Sequence, residues 1–278
     1  MKLITNKIYD EERALYGTNN LHLINCSFDG PADGESALKE SNNIIAEGCY
    51  FNLRYPFWHV NELEILDSEM TSLCRAALWY SHQITISNSN MRGIKALREC
   101  SDVKLLGCEI DSPEFGWFGH DFHMDNCSAQ SEYFMLRSEN LDFHEVKLSA
   151  KYAFQYIKNS IFENCEFDTK DAFWHAQNVT VKNSVVKGEY LGWYSENLTL
   201  ENCIIIGTQP LCYCKNLKLV NCEMIDTDLC FEKSEVEATI STLVISIKNP
   251  KSGQIILPGV GEIIQNDPDS QTKITISN

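Results

Sequence analysis

All five tryptophans of the chain occupy the same position of a repeating block of residues. They are Trp58, Trp79, Trp117, Trp174 and Trp193. Lys39, Arg98 and Gln155 fill this position in other blocks, and such side chains are difficult to bury in a narrow core. We therefore expect the row to face solvent, where large aromatic surfaces usually mark a binding site.

The position directly after the tryptophans adds further rings, among them Tyr80 and His175. Aromatic rings can stack on sugars while neighbouring polar groups bind the hydroxyls. The two rows together predict a face that binds an oligosaccharide or a polysaccharide. Its predicted substrate-binding residues are Trp58, Trp79, Tyr80, Trp117, Trp174, His175 and Trp193. In the opposite strand phase these tryptophans would instead pack in the core.

Two blocks near the N-terminus are longer than most others, and their extra residues precede the tryptophan row. These extra residues lie within segments 29–36 and 71–75. Loops beside a rigid scaffold are common places for binding and catalytic groups. Charged side chains around them complete the predicted substrate-binding set, namely Asp33, Glu35, Arg54, Arg98 and Glu114.

The same region contains candidate catalytic residues. Glu99 or His59 could serve as an acid or base. Arg75 is a further candidate, which together with Arg54 and Arg98 would hold a carboxylate or phosphate of the substrate. A network of structural ion pairs would use the same charges, so this alternative remains open.

A second candidate region lies nearer the C-terminus. Asp168 and Asp171 precede Trp174 there, and Glu189 precedes Trp193. Unlike the first region, this one has no matching cluster of arginines. The pattern is more typical of a binding surface than of a catalytic centre.

Composition and charge argue against several classes of function. The 278 residues carry a formal net charge of −16, whereas nucleic-acid binding requires clustered Lys and Arg. No apolar run approaches the ~18 residues of a membrane helix, so no membrane partner is expected. The N-terminus turns acidic within ten residues and does not resemble a signal peptide, which predicts a cytoplasmic protein. No cofactor or metal site is predicted.

A block of nineteen residues organises the chain and positions these groups. Residues 197–215 and 216–234 match at an Asn, two Leu, an Asn-Cys pair, an Ile and a Thr without a gap. From Asn20, eleven blocks run to residue 234, and nine of them have nineteen residues. Such repetition predicts one structural unit stacked on copies of itself. We expect a single solenoid domain over 1–278, with caps at 1–19 and 235–278.

Within each block, counted from its first residue (Asn197, for example), the pattern predicts three short strands. Apolar residues alternate at positions 2 and 4, as in Leu198 and Leu200, and again at positions 7 and 9. Position 6 is often Asn, which tolerates the left-handed conformation of a sharp corner. A third strand is expected over positions 14–18, with position 15 inward and the tryptophans of position 16 outward. Cys at position 7, as in Cys203, indicates a buried ladder of reduced thiols.

These features favour an all-β, right-handed, single-stranded parallel β-helix of about eleven coils. A leucine-rich repeat is one alternative, because residues 198–205 match its L-x-L-x-x-C-x-I core. That repeat needs ~20–29 residues with an outer helix, and residues 206–210 leave no room for one. A left-handed β-helix would require multiples of six residues, which nineteen is not.

Several motifs resemble one protein family. They are EERALYG, GPADGESALKES, LRYPFWH, CRAALWY, GIKALRE, SPEFGW, DTKDAFWH and IGTQPLCYC. Through them the chain resembles, over nearly its whole length, a bacterial domain-of-unknown-function family. That family is similar to right-handed β-helix proteins of the pectin-lyase-like superfamily. The resemblance implies the fold but carries over no established activity.

The wider superfamily includes polysaccharide lyases, pectin esterases and glycoside hydrolases, but their motifs are not matched here. The nearest approach to a polygalacturonase G-H-G motif is Gly119-His120-Asp121. Because fold does not decide function, two hypotheses remain. The first is a protein that binds or acts on a carbohydrate. The alternative is a non-enzymatic scaffold or protein-interaction solenoid that uses the same aromatic face.

Overall fold

The computed structural model describes residues 1–32 and 34–277, which form two compact units, Met1–Asp142 and Phe143–Asn278. We describe them separately as unit 1 and unit 2. None of the described residues lies in a helix, and hence no helix long and apolar enough to cross a membrane occurs among them. The assignment of both units to a single solenoid domain stays a prediction.

Unit 1 consists of two ladders of parallel strands that alternate along the chain. The first ladder contains Lys2–Thr5, Asn19–Ile24, Asn42–Glu47, Asn61–Leu66, His82–Ser87, Ser101–Leu106 and His120–Asp125. The second contains Ile8–Tyr9, Ser27–Phe28, Tyr50–Phe51, Glu69–Met70, Asn90–Arg92, Glu109–Asp111, Glu114–Phe115 and Ser128–Phe134. Equivalent residues of successive coils pair, as Val103 does with Ile84 and Phe122. The strand Glu139–His144 contains the boundary between the units.

Unit 2 repeats this arrangement. Its first ladder contains Lys158–Glu163, Gln177–Lys182, Glu196–Glu201, Leu217–Ile225, Glu235–Ile240, Ser252–Leu257 and Lys273–Ile276. Its second contains Lys147–Ala153, Glu166–Ala172, Val185–Lys187 and Ile204–Ile206, and it ends on the long strand Leu217–Ile225. Val244–Lys248 and Val260–Ile264 form a separate two-stranded parallel sheet.

The fold class is therefore confirmed as an all-β parallel β-helix, but the expected number of coils was too low. The chain makes about fourteen turns rather than eleven. In unit 1 the strand Lys2–Thr5 pairs with Asn19–Ile24, although it precedes the first recognised block. In unit 2 the strands Ser252–Leu257 and Lys273–Ile276 continue the first ladder beyond residue 234. The N-terminal coil keeps the nineteen-residue spacing, as Lys2 pairs with Leu21, but it was missed because Lys2 and Lys7 stand where the block has apolar residues at positions 2 and 7. Beyond residue 234 the spacing falls to seventeen residues, as Val236 pairs with Gly253.

The predicted third strand over positions 14–18 is wrong. Most residues at positions 15 and 17 have positive φ, as at Phe57 (62°) and His59 (53°). The chain there is not extended, yet it is still bonded to both neighbouring coils. The Phe57 amide donates to Ala37 O at 3.0 Å, and the His59 amide donates to Trp79 O at 2.9 Å. These hydrogen bonds and the burial of position 15 offset the roughly 1–2 kcal/mol per residue that the left-handed conformation costs.

The interior is built from columns of equivalent side chains, as the repeat predicts. Position 15 is fully buried at Phe57, Phe154 and Leu211, which confirms its inward orientation. The cysteines of position 7 are also buried, with Cys203 only 1% exposed. All twelve cysteines of the chain are free. The predicted ladder of buried, reduced thiols is confirmed.

Asparagines form the corners of the coils. Asn202 at position 6 has φ of 52°, which confirms the predicted left-handed corner. The first position of the block also has positive φ, with Asn178 and Asn197 both at 55°. Their amides bond from coil to coil, since Nδ2 of Asn197 donates to Oδ1 of Asn178 at 2.8 Å. Each corner thus combines a backbone conformation that Asn tolerates with a side-chain hydrogen bond that fixes the register.

We expect the thiols of the native protein to resist modification by a water-soluble thiol reagent. Burial removes all of them from solvent, and it raises the pKa of Cys74 to about 11 and that of Cys100 to about 12. A hydrogen bond with a neighbouring cysteine lowers the pKa of Cys108 to about 7 and also lowers that of Cys222, so these two thiols are protected by burial alone. Colorimetric thiol counting should detect almost no reaction in buffer and all twelve thiols in denaturant. Rapid labelling of several cysteines under native conditions would contradict the buried columns.

Candidate functional site

All five tryptophans lie on the non-extended third side of the coil and point away from the core. Each is half-buried, and its indole N–H donates to a main-chain carbonyl of the next coil. These bonds run from Trp58 to Ala76, Trp79 to Lys95, Trp117 to Tyr133, Trp174 to Tyr190 and Trp193 to Gln209. The predicted outward orientation is confirmed, but the rings lie against the side of the coil rather than standing free.

In unit 1 the tryptophan row is already covered by cations of the same chain. The rings of Trp58 and Trp79 stack with centroids 5.2 Å apart and planes 5° from parallel. Lys39 Nζ lies 5.6 Å from the Trp58 ring centroid, and Arg98 Cζ lies 5.3 Å from that of Trp79. Arg98 also lies 5.1 Å from the Phe118 centroid. Lysine, two indoles and arginine therefore follow one another as an internal cation–π column.

The candidate catalytic residues of unit 1 do not form one cluster. His59 stacks on Tyr80, with ring centroids 5.0 Å apart, and Tyr80 stands between His59 and Glu99 in the same row. Glu99 pairs with Arg98 at 3.4 Å. Arg75 is exposed, and its guanidinium has no hydrogen bond or ion pair with any residue that the structure describes.

The charged residues beside the longer coils are also partly engaged with each other. Arg54 and Glu35 form an ion pair at 3.2 Å. Glu114 lines a recess with Arg98 and Trp117 that has no room for a water-sized group, and hence none for a sugar ring. Asp33 lies outside the described residues. The ion pairs are those expected of the structural alternative, and the binding role of this group stays a prediction.

In unit 2 the corresponding row has no cation of its own. The rings of Trp174 and Trp193 stack with centroids 5.6 Å apart and planes 8° from parallel. The equivalent positions before and after them hold Gln155 and Cys212. Among the described residues, none places a positive charge over either indole. The pair therefore lacks the cation–π contacts of Trp58 and Trp79, and the rings of Tyr190 and Tyr213 pack edge-on against Trp193 with centroids 5.0 and 5.3 Å away.

A second row of stacked rings runs beside Trp174 and Trp193. His175 stacks between Tyr156 and Tyr194, with ring centroids 4.8 and 5.0 Å away, and Tyr194 stacks on Tyr213 at 4.9 Å. Tyr194 is 46% exposed and Tyr156 is 42% exposed. Parallel rings at these centroid distances are offset, so each ring leaves an edge and part of a face open to solvent.

A hollow of about 470 Å³ lies on the surface of unit 2. Its lining consists of Ser149, Ala150, Asp168, Thr169, Lys170, Lys187, Gly188, Glu189, Ile206 and Gly207. Gly207 has φ of 125°, and a Cβ there would lie 2.0 Å from the Gly188 carbonyl oxygen. The two glycines let the coils stack closely and leave no side chains at this point. Lys187 forms an ion pair with Asp168 at 2.9 Å, so the lining contains both donors and acceptors.

A buried carboxyl, Asp171, follows Lys170 of the hollow lining in the chain. Asp171 is only 6% exposed, and its Oδ1 has no hydrogen-bond partner among the described residues. Burial raises the pKa of Asp171, the Glu189 charge raises it further, and the Lys170 charge lowers it. Tyr190, which accepts the Trp174 indole bond, has the same position as Asp171 in the next coil. Asp171 and Glu189 are therefore close enough on neighbouring coils for their charges to interact.

Sequence reasoning named part of this region and missed its shape. Trp174, His175 and Trp193 were predicted as binding residues, whereas the hollow and the burial of Asp171 were not. The available signal was Gly188 and Gly207, spaced nineteen residues apart in the chain. No group of three or more His, Cys, Asp or Glu side chains in the described part of the chain could hold a metal ion.

Replacement of Arg98 by alanine should lower the free energy of unfolding by about 1–2 kcal/mol. The variant loses contacts with two rings, and exposed cation–π contacts contribute roughly 0.5–1 kcal/mol each. Arg92→Ala is the matched control, because Arg92 makes an exposed ion pair with Glu69, a kind worth about 0–1 kcal/mol. Equal losses in urea unfolding would contradict the cation–π column.

Replacement of Asp171 by asparagine should raise the melting temperature near pH 7 by a few degrees. A carboxyl with a raised pKa in the folded state favours folding while protonated, and this contribution is lost as the pH rises through that pKa. The advantage of the variant should therefore shrink as the pH falls toward the ordinary aspartate pKa of about 3.9. Asp168→Asn is the control and should not show this gain, since Asp168 is an exposed partner of Lys187. A variant less stable than wild type at neutral pH would contradict the burial of an unpartnered carboxylate.

Comparison with solved structures finds distant likenesses. Among solved structures, the chain is similar to PfbA, a surface adhesin of Streptococcus pneumoniae, with 12% identity and a TM-score of 0.39, covering 90% of this chain and 72% of that one. It is also similar to the tailspike protein of E. coli bacteriophage HK620, solved with a hexasaccharide, with 8% identity and a TM-score of 0.31, covering 94% and 70%. These distant likenesses say nothing about function in this chain.

At the level of sequence, a comparison with curated proteins finds no match. One family model does match, and it extends over residues 2–277. The chain belongs to the family described as "Protein of unknown function (DUF3737)".

Proposed function

We propose that this protein binds a carbohydrate through unit 2. The observation that carries the proposal is the stacked pair of Trp174 and Trp193, whose outer faces have no cation of the chain over them. The ring of Tyr190 lies 5.0 Å from that of Trp193 and widens the aromatic surface. The hollow of about 470 Å³ lies on the same unit and is lined by Glu189, the sequence neighbour of Tyr190.

The chemistry of this region suits a ligand that is apolar on its ring faces and rich in hydroxyls. The open parts of the indole and phenol rings supply apolar contact area. Asp168 and Glu189 accept hydrogen bonds, while Lys170 and Lys187 donate them. Ligand sites combine an apolar lining with a few placed polar groups, and this region has both.

Unit 1 has a secondary role in the proposal. Its Trp58–Trp79 pair is covered by Lys39 and Arg98, so a sugar ring would have to displace a cation before stacking there. The acid–base roles of Glu99 or His59 and the anion-binding role of Arg75 remain part of the proposal for this unit. A cytoplasmic location and a relation to pectin-lyase-like proteins are likewise parts of the proposal.

A second candidate function is a protein-interaction solenoid, and the unit 1 column is the observation that favours it. With their faces covered by Lys39 and Arg98, these indoles offer cations and ring edges rather than flat surfaces. Such a mixed surface suits a protein partner, since Arg and aromatic side chains are enriched at protein interfaces.

Replacement of Trp193 by alanine should weaken saccharide binding at least tenfold, which corresponds to about 1.4 kcal/mol. The variant removes one ring of the Trp174–Trp193 pair, and with it the contact to the Tyr190 ring. Trp58→Ala is the matched control and should change the affinity less than twofold. A saccharide is first identified on a glycan array with the full chain, and titration calorimetry then gives the affinities.

Comparison of the two variants shows which unit contains the binding site. Loss of binding with Trp58→Ala but not with Trp193→Ala would move the site to unit 1 and overturn the present assignment. An array without any bound saccharide, together with a protein partner whose binding is lost in Trp58→Ala, would support the interaction solenoid instead.

A further inference from the structure

We infer that the C-terminal end of unit 2 binds the same end of a second copy of this chain and so forms a closed dimer. The two strands at this end are Val260–Ile264 and Lys273–Ile276. The inference does not depend on the proposed carbohydrate function, because it concerns a different surface. It rests on exposed core columns, on open strand edges and on the charges that the two strands carry.

The first observation is that columns of the core reach the surface at this end of unit 2. Leu257 is fully buried and pairs with Ile276, which is 50% exposed. Ile247 is also fully buried and pairs with Ile263, which is 42% exposed. Paired residues of neighbouring parallel strands point to the same side, so Ile263 and Ile276 continue columns of the core. Apolar side chains exposed in this way mark an interaction surface.

The second observation is that both strands at this end have an open edge. Lys273–Ile276 pairs with Ser252–Leu257, and Val260–Ile264 pairs with Val244–Lys248. Among the described residues, no strand pairs with the other edge of either one. Such edges present rows of N–H and C=O groups that can bond to the strand of another chain.

The N-terminal end of unit 1 is built differently, and this difference argues against head-to-tail stacking of copies. Lys2 pairs with the fully buried Leu21, so a lysine ends that column of the core. Lys7 likewise stands where the block has an apolar residue. Charged residues at inward positions of an edge strand are one way in which proteins prevent pairing with another chain. A head-to-tail contact would place these ammonium groups against isoleucines, which is unfavourable.

The third observation is that the two strands carry opposite charges. Glu262 is the one charged residue of Val260–Ile264, and Lys273 is the one charged residue of Lys273–Ile276. A two-fold axis that brings the first strand of one copy beside the second strand of the other makes this contact twice. Glu262 and Lys273 of different copies then attract each other, whereas pairing of each strand with its own copy would bring like charges together. The contact uses both open edges, so assembly stops at two chains.

The first test places a charge on an exposed core column. Light scattering after size-exclusion chromatography should give the mass of a dimer for the full chain, and sedimentation equilibrium gives its dissociation constant. Ile276→Asp should raise that constant at least about tenfold, because a carboxylate would be buried in the contact. Ile161→Asp is the matched control and should change it less than about twofold. Ile161 is similarly exposed, at 49%, but lies on the strand Lys158–Glu163, several coils before this end.

The second test reverses the charges and remains decisive if Ile276→Asp does not fold. Lys273→Glu should raise the dissociation constant at least about threefold, because it brings two glutamates together in each contact. The double variant Lys273→Glu with Glu262→Lys restores opposite charges and should return the constant to within about twofold of wild type. Both side chains are exposed, so these variants should keep the wild-type circular dichroism spectrum.

Four results would overturn the inference. The first is a wild-type protein that stays monomeric at every concentration measured. The second is a series of species larger than a dimer, which requires an open head-to-tail contact. The third is a dimer that survives in a folded Ile276→Asp variant, since the contact would then lie elsewhere. The fourth is a double charge variant that remains as weakly associated as Lys273→Glu alone.

Discussion

Every feature of this protein depends on the stacking of equivalent residues in successive parallel coils. Within each unit the backbone ladders hold residues one block apart in register, as Val179 is with Leu198. A side chain repeated at one position of the block therefore becomes a column, whether thiols inside, asparagine amides at the corners or rings on the surface. Because adjacent parallel strands lie ~4.8 Å apart, equivalent side chains of neighbouring coils are in contact. Any loss of register would disrupt all the columns at once.

The same constraint explains why the two units differ in what they offer a ligand. Register places rings in rows in both units, but the remaining residues of the row decide whether those rings are open. Arg98 covers Trp79 in unit 1, whereas no described cation covers Trp193 in unit 2. Glycines in register open the hollow, and a buried carboxyl beside it is unfavourable for folding. A costly group beside an open surface is typical of a site kept for function rather than for stability.

The sequence was a good guide wherever the repeat alone decides the outcome. The buried column of Cys203, the left-handed corner at Asn202 and the outward tryptophans follow from position in the block. The sequence did not predict the non-extended third side of the coil. Bulky residues such as Phe57 rarely adopt positive φ, so they gave no sign of a turn there. The first coil was missed because lysines replace its apolar residues at positions 2 and 7, and the last coils were missed because their spacing changes. The hollow depends on close backbone approach at Gly207, for which the available signal was the nineteen-residue spacing of Gly188 and Gly207.

The most direct test of the account is a crystal structure of the protein with a saccharide identified on the glycan array bound. The account predicts a sugar ring against Trp174 or Trp193, with hydroxyls hydrogen-bonded to side chains that line the hollow, such as Glu189. It also predicts that Lys39 and Arg98 keep their places on the rings of Trp58 and Trp79. A saccharide bound on unit 1 with these cations displaced, and unit 2 left empty, would contradict it.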